Sequence, residues 1–295
     1  MKKYNILFSL MSFKELTGSE LYVYELCKNL KKDEFNIHIC AYNVGGVLTD
    51  LAIKNGFNVY HIESIPKGIN FDIIHCQHAP VTKKIMSLFP KIPKVCTIHS
   101  EIYDIENPLI NHSIKKYICI RPEIQKKLIN KFSIPVELTE VIYNPIDEDR
   151  FNMDNINNDG YYLFVGTIHD TRKMAIFDMI KKSKEENKEL WIVGKNHSNF
   201  LNEIIKNNHV KYFNDTVNVE KFVKNCYQTS GILMGRTTIE GWMCGKSGWI
   251  YDVDTNGNII SSKLHEVPLD VDKFKSSVVS TKIKEKYTEI LNMVI

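Results

Sequence analysis

The chain has 295 residues, 43% hydrophobic and 25% charged, a balance that excludes disordered, collagenous and low-complexity classes. Lys plus Arg number 38 against 35 Asp plus Glu, and a net charge of +3 is too small to argue for nucleic-acid binding. At roughly 100–200 residues per domain the length implies two domains, and no apolar run reaches the ~18 residues of a spanning helix.

The start, Met1-Lys2-Lys3 and then Tyr4 to Met11, has the basic-then-apolar order of a signal peptide. It lacks a small-residue cleavage site and runs into Lys14 and Glu15, so Tyr4–Phe8 reads as a first strand. A helix is predicted over Glu20–Leu30, where Leu21, Tyr24 and Leu30 share a face. Short apolar strands then alternate with helices: strand Asn36–Cys40, helix near Val47–Asn55, strand Asn58–His61, strand Asp72–Cys76, helix Val81–Phe89 and strand Lys94–His99. Strand Lys116–Ile120 leads to a helix from Pro122 to Lys131, with proline at a position where its missing N–H costs nothing.

Asn, Asp and Gly dominate Asn152–Gly160, which reads as a linker, and the alternation then restarts. Strands are predicted at Tyr161–Val165, Leu190–Val193, Val210–Phe213, Gly231–Met234 and Trp249–Tyr251. Helices are predicted at Lys173–Glu185, Phe200–Lys206, Val217–Asn225 and from Ile239 to Cys244, and Val271–Ile295 reads as mostly helical. The order predicts an α/β fold of two Rossmann-like, doubly wound parallel-sheet domains facing a central cleft, with the cleft as the default ligand site. The expected division is 1–152, 153–280 and a final helix, 281–295, packing back on the first domain.

The seven cysteines, Cys27, Cys40, Cys76, Cys96, Cys119, Cys226 and Cys244, lie mostly in apolar runs and lack metal-ligand spacing. They read as free buried thiols of a reducing, cytoplasmic compartment.

Four loops carry candidate chemistry. Leu16-Thr17-Gly18-Ser19-Glu20 opens a helix; Gly18 permits close backbone approach, Ser19 is suited to cap, and the exposed N–H groups make an anion site. His99 ends a buried strand in Thr97-Ile98-His99. Gly166-Thr167 leads into Arg172 and Lys173 at a helix start, which suits a diphosphate. Gly235-Arg236-Thr237-Thr238-Ile239-Glu240 places a carboxylate near a helix N-terminus, where it can accept hydrogen bonds from ribose hydroxyls. Asp252-Val253-Asp254 and Asp270-Val271-Asp272 mimic a metal motif, but the first leads into the hairpin signal Asn256-Gly257 and the second resembles a helix-entry cap. His75 and His78 have one-turn spacing at a strand end rather than on a helix, which argues against a zinc pair.

Read together, these segments resemble retaining glycosyltransferases of family 4, with the GT-B fold. The resemblance rests on Thr17-Gly18-Ser19-Glu20, Asp72-Ile73-Ile74-His75, Thr97-Ile98-His99, and Val141-Ile142-Tyr143-Asn144-Pro145-Ile146-Asp147 with Phe151. It continues through Phe164-Val165-Gly166 with Lys173, and Ile239-Glu240-Gly241-Trp242-Met243-Cys244-Gly245-Lys246. Two positions depart from the family pattern. Ile232 falls where the first glutamate of the family's pair stands, and Thr167 replaces the usual arginine of the phosphate loop.

The resemblance implies transfer of a sugar from a UDP- or GDP-sugar to an acceptor hydroxyl, with no metal or other cofactor. His99, Lys173 and Glu240 are the implied catalytic residues. Donor binding falls to Gly18, Ser19, Gly166, Thr167, Arg172, Lys173, Gly235, Arg236, Thr237, Thr238 and Glu240. The implied acceptor is a glycan, a lipid-linked saccharide or a protein in bacterial surface glycan assembly. Nucleic acid is not an expected partner, and peripheral membrane contact is compatible with the mild basicity. Alternatives are another enzyme on this fold, such as an epimerase or phosphorylase, or a non-catalytic nucleotide-sugar-binding protein.

Overall fold

The computed structural model of the protein describes residues 3–30, 34–158 and 160–294. Met1 and Lys2 of the predicted start, Asp159 of the predicted linker and Ile295 of the predicted tail lie outside these residues. The chain forms two compact units, one of Met1–Pro145 with Ser276–Ile295, the other of Ile146–Lys275.

Seven strands build the sheet of the first unit: β1 (Tyr4–Phe13), β2 (Phe35–Val44), β3 (Asn58–His61), β4 (Ile73–Gln77), β5 (Lys94–Ile98), β6 (Ile114–Cys119) and β7 (Thr139–Val141). They run in the order β3-β2-β1-β4-β5-β6-β7, all parallel. Ile6 to Leu10 of β1 and all of β4 and β5 are buried without alternation, the pattern of strands covered on both faces. The connecting helices are α1 (Gly18–Leu30), α2 (Gly46–Lys54), α3 (Ala79–Leu88) and α4 (Pro122–Phe132).

The second unit has β8 (Tyr162–Val165), β9 (Leu190–Val193), β10 (Val210–Phe213), β11 (Gln228–Ile232), β12 (Gly248–Val253) and β13 (Ile259–His265). Its order is β10-β9-β8-β11-β12-β13, parallel except for the antiparallel β12–β13 hairpin. Its helices are α5 (Lys173–Glu185), α6 (Leu201–Ile204), α7 (Val219–Asn225) and α8 (Arg236–Met243). In α5, Ala175, Ile176, Met179, Ile180 and Ser183 are buried, the i, i+1, i+4 stripe that seats a helix on a sheet.

A last helix, α9 (Ser276–Val294), belongs to the first unit. Its buried Val279, Ile283, Tyr287, Ile290 and Leu291 join that unit's core. No helix among the described residues is long and apolar enough to cross a membrane. All seven cysteines are free and buried.

Several predicted bounds are corrected. β1 continues past Phe8 to Phe13 because Leu10 and Phe13 also pack inward. β11 lies earlier than Gly231–Met234, since Leu233 turns the chain at φ 58°. The tail is not helical from Val271: Asp272–Phe274 forms a separate 3-10 turn before Ser276 opens α9. β7 has only three residues, too few for a readable period.

Candidate active site

The strand order reverses between β1 and β4 in the first sheet and between β8 and β11 in the second. Ligands of doubly wound sheets bind outside the carboxyl ends of strands at such points. Three of the four candidate loops follow β1, β8 and β11, and the His99 loop follows β5, beside β4.

In the first unit, α1 opens at Gly18, and the Thr17 carbonyl accepts the Leu21 N–H at 2.9 Å. Thr17 therefore holds the cap position, and Ser19 lies inside the first turn rather than capping it. Gly18 is exposed, and a Cβ added there would meet nothing within 4 Å. Thr17 and Glu20 have capping-box spacing, but the Glu20 carboxylate reaches further back and accepts the Glu15 N–H at 2.6 Å. Burial raises its pKa.

His99 is fixed from three sides. Its Nε2 meets Gln77 Oε1, its backbone N–H donates to Glu106 Oε2 at 3.0 Å, and Tyr22 of α1 sets an edge against its ring at 5.1 Å. α1 and the His99 loop thus come together. The other Glu106 oxygen lies 3.4 Å from His78 Nε2. His78 stands just past β4 at φ 62°, a left-handed conformation that costs a non-glycine residue about 1–3 kcal/mol. Beneath lies a closed network: His75 Nδ1 is 2.5 Å from the Tyr287 hydroxyl and Nε2 is 2.6 Å from Thr97 Oγ1. Thr97 in turn donates to the Tyr22 hydroxyl at 3.2 Å. Burial holds His75 down to about 3 and His78 to about 4, and it depresses His99 strongly with help from the neighbouring histidines. All three rings are neutral at pH 7, whereas burial pushes the Glu106 carboxyl up to about 7.

In the second unit, the Gly166–Lys173 loop is clamped by backbone. Gly166 N–H donates to Val193 O at 2.9 Å, Ile168 N–H to Lys195 O at 2.8 Å, and His197 N–H to Ile168 O at 2.8 Å. A Cβ on Gly194 would stand 2.1 Å from Gly166 O, and one on Gly257, at the hairpin tip, 2.0 Å from Thr171 O. Both glycines adopt positive φ, 154° and 85°. Arg172 closes the loop from within: its Nη1 donates to Thr167 O at 2.8 Å, and its guanidinium lies over Phe164. Lys173, the first residue of α5, is half exposed; it pairs with Glu203 at 3.3 Å and lies over the Phe177 and Phe200 rings.

The Gly235–Glu240 segment lies beside this loop, because Thr237 Oγ1 donates to Val165 O at 3.0 Å. Gly235 precedes α8, whose first turns carry Arg236, Thr238 and Glu240, all buried. Arg236 Nη2 bonds Glu240 Oε1 at 3.0 Å, one helical turn apart. Thr238 Oγ1 is buried without a partner. Ile232 ends β11, so the strand itself occupies the position of the missing acid. Lys246 is buried and anchors Asn157 O and Asn158 Oδ1, a structural task.

Sequence reasoning missed Gln77, Glu106, Tyr22, Tyr287 and Gly194. Only Gly194 carried a readable signal, a glycine directly after the strand Leu190–Val193. The others act through contacts between residues distant in the chain.

Residues 16–150 match the model of Glycosyltransferase Family 4. A glycosyltransferase from Rickettsia africae superposes with a TM-score of 0.68 at 15% identity, covering 99% of each chain. Anabaena HepE, solved with UDP-glucose, gives 0.65 at 15% identity and 98% of each chain. WaaG, a glycosyltransferase of lipopolysaccharide biosynthesis, gives 0.58 at 9% identity, covering 97% of this chain and 94% of its own. No curated protein matches. Residues 16–150 thus resemble glycosyltransferase family 4, and the whole chain shares the GT-B fold of these glycosyltransferase structures.

Proposed function

We propose that this chain is a family-4-like glycosyltransferase that moves a hexosyl or N-acetylhexosaminyl group from a UDP- or GDP-sugar to an acceptor hydroxyl, without a metal. The bond from the anomeric carbon to the diphosphate breaks, its electron pair leaves with the nucleotide, and the acceptor oxygen forms the new bond. The observation that carries this reading is the pairing in the second unit of a clamped, cation-bearing helix start, Arg172–Lys173, with the N-terminus of α8. Two cations and two sets of helix N–H groups at a topological switch point suit a leaving diphosphate.

In this reading Lys173 and Arg172 stabilise the leaving group, and the backbone of Gly166, Thr167 and Gly235 to Thr238 approaches the phosphates. Glu240, with one oxygen fixed by Arg236, offers the other to the ribose hydroxyls. In the first unit, His99 and the backbone N–H groups of Gly18 and Ser19 are the proposed substrate contacts. HepE's UDP-glucose supports a uridine donor, and WaaG's role in lipopolysaccharide biosynthesis supports bacterial surface glycan assembly; we place the reaction at the cytoplasmic face of a membrane, on a glycan, lipid-linked or protein acceptor.

Lys173→Ala tests the phosphate assignment. With the productive donor it lowers kcat by about 10²–10³, the loss of one electrostatic group at the barrier. An unchanged rate rejects the assignment.

A further inference from the structure

At the opposite end of the first sheet, the starts of β1, β2 and β3 and the segment before β4 enclose a depression of about 520 Å³. Small-molecule sites span about 300–1,000 Å³. Its polar wall is made of amides: Asn5, Asn36, Asn58 and Asn70, with His38. The register explains the cluster, since Asn5 sits opposite Asn36 and His38 opposite Asn58 on adjacent parallel strands. Asn36 Nδ2 donates to Asn5 Oδ1 at 3.0 Å, and Asn5 Nδ2 donates to Asn70 O at 2.8 Å. These bonds orient the wall. Among the described residues they leave Asn36 Oδ1 and the whole amides of Asn58 and Asn70 without a protein partner.

His38 supplies a second observation. It is 6% exposed, its ring lies over Tyr60 and edge-on to Phe71, and its Nδ1 is 3.2 Å from the Tyr60 hydroxyl. Among the described residues, its Nε2 has no partner. Burial lowers the pKa of the ring, which is neutral at pH 7 and presents a donor or an acceptor according to tautomer.

The charge pattern selects the ligand. Among the described residues Lys3 is the one ionic side chain in the lining, and it is exposed. Among the described residues no arginine contributes, and Gly56 of the lining directly follows the C-terminal end of α2, whose dipole repels anions. A phosphate or carboxylate therefore finds little here. Amides donate and accept at once, as paired hydroxyls do. We propose that this depression binds a neutral saccharide, with Asn36, Asn58, Asn70 and His38 on its hydroxyls. The site is independent of the donor loops and gives a glycan-building enzyme a second hold on a sugar chain.

The test is NMR of the histidine-labelled full chain, with the His38 ring resonance assigned through His38→Gln. D-glucose, D-galactose, D-mannose, N-acetyl-D-glucosamine and the disaccharides maltose and chitobiose are titrated in turn, against UDP and inorganic phosphate. At least one neutral sugar is expected to shift the His38 resonance saturably in the millimolar range, and neither UDP nor phosphate to do so. Tighter binding of a disaccharide identifies a glycan chain as the ligand; equal binding identifies a single sugar unit. Asn36→Ala with Asn58→Ala, both exposed and so harmless to folding, weakens the effect at least about tenfold. The proposal is overturned if no sugar moves the resonance, if phosphate moves it and sugars do not, or if the double variant binds unchanged.

Discussion

Two of the candidate loops are held by opposite means. The Gly166–Lys173 loop is gripped by main chain, with Gly194 and Gly257 letting neighbouring backbones close to distances no side chain permits. The His99 loop is gripped by side chains, Gln77, Glu106 and Tyr22, over the buried His75–Tyr287 network. A backbone clamp is indifferent to pH and intolerant of a methyl group. A side-chain clamp is tolerant of small steric change and sensitive to protonation.

The sharpest way to break the first clamp is Gly194→Ala. The new Cβ meets the Gly166 carbonyl at 2.1 Å in a backbone conformation that disfavours alanine. Urea unfolding is expected to show a loss of about 3 kcal/mol or more. Gly257→Ala acts at the other side of the loop, and its signature is weakened nucleotide binding alongside reduced stability.

The second clamp is broken by pH. The folded pKa of Glu106, about 7, lies above its ordinary value of 4.5, so the native state binds more protons than the unfolded state between these values. Its share of stability is therefore full below pH 4.5 and falls as pH rises through 7, by about 3 kcal/mol. His75 and His78 act in the reverse sense, losing stability as pH falls from 6.5 toward about 3 and 4. They are common to wild type and Glu106→Gln and cancel in the difference. Urea unfolding from pH 4.5 to 8 should show the variant gaining on wild type as pH rises. A constant difference would remove Glu106 from the clamp.

Tyr287→Phe removes the hydroxyl that meets His75 and leaves a buried ring nitrogen unpaired, for about 1–3 kcal/mol in urea unfolding. Gly18→Ala is the smallest effect, within about 0.5 kcal/mol, because nothing stands near its Cβ. If Gly18 serves donor approach, that variant loses transfer activity at full stability, a separation the clamped glycines cannot give.

The two clamps also differ in how they could be read. The loops after β8 and β11 follow from glycine, a cation pair and a helix start, all local signals, and Lys173–Glu185 and Leu190–Val193 have the bounds their periodicity predicts. The strand alternation likewise gave the doubly wound sheets. Glu106 stands seven residues past His99, at the end of a single 3-10 turn, and Tyr287 lies 212 residues from His75, so no spacing rule could join either pair. Thr17 and Ser19 both suit a cap position by type, and only the Thr17–Leu21 bond decides for Thr17. The Asn5–Asn36 and His38–Asn58 pairs required the strand register, which sequence alone does not fix across crossovers.

The most direct test of the account is nucleotide release from a panel of UDP-, GDP-, ADP- and CMP-sugars, with and without EDTA, by wild type and Lys173→Ala. The account predicts release from one donor, unchanged by EDTA and lost in the variant. No release from any donor, together with no thermal shift from any nucleotide, would contradict it.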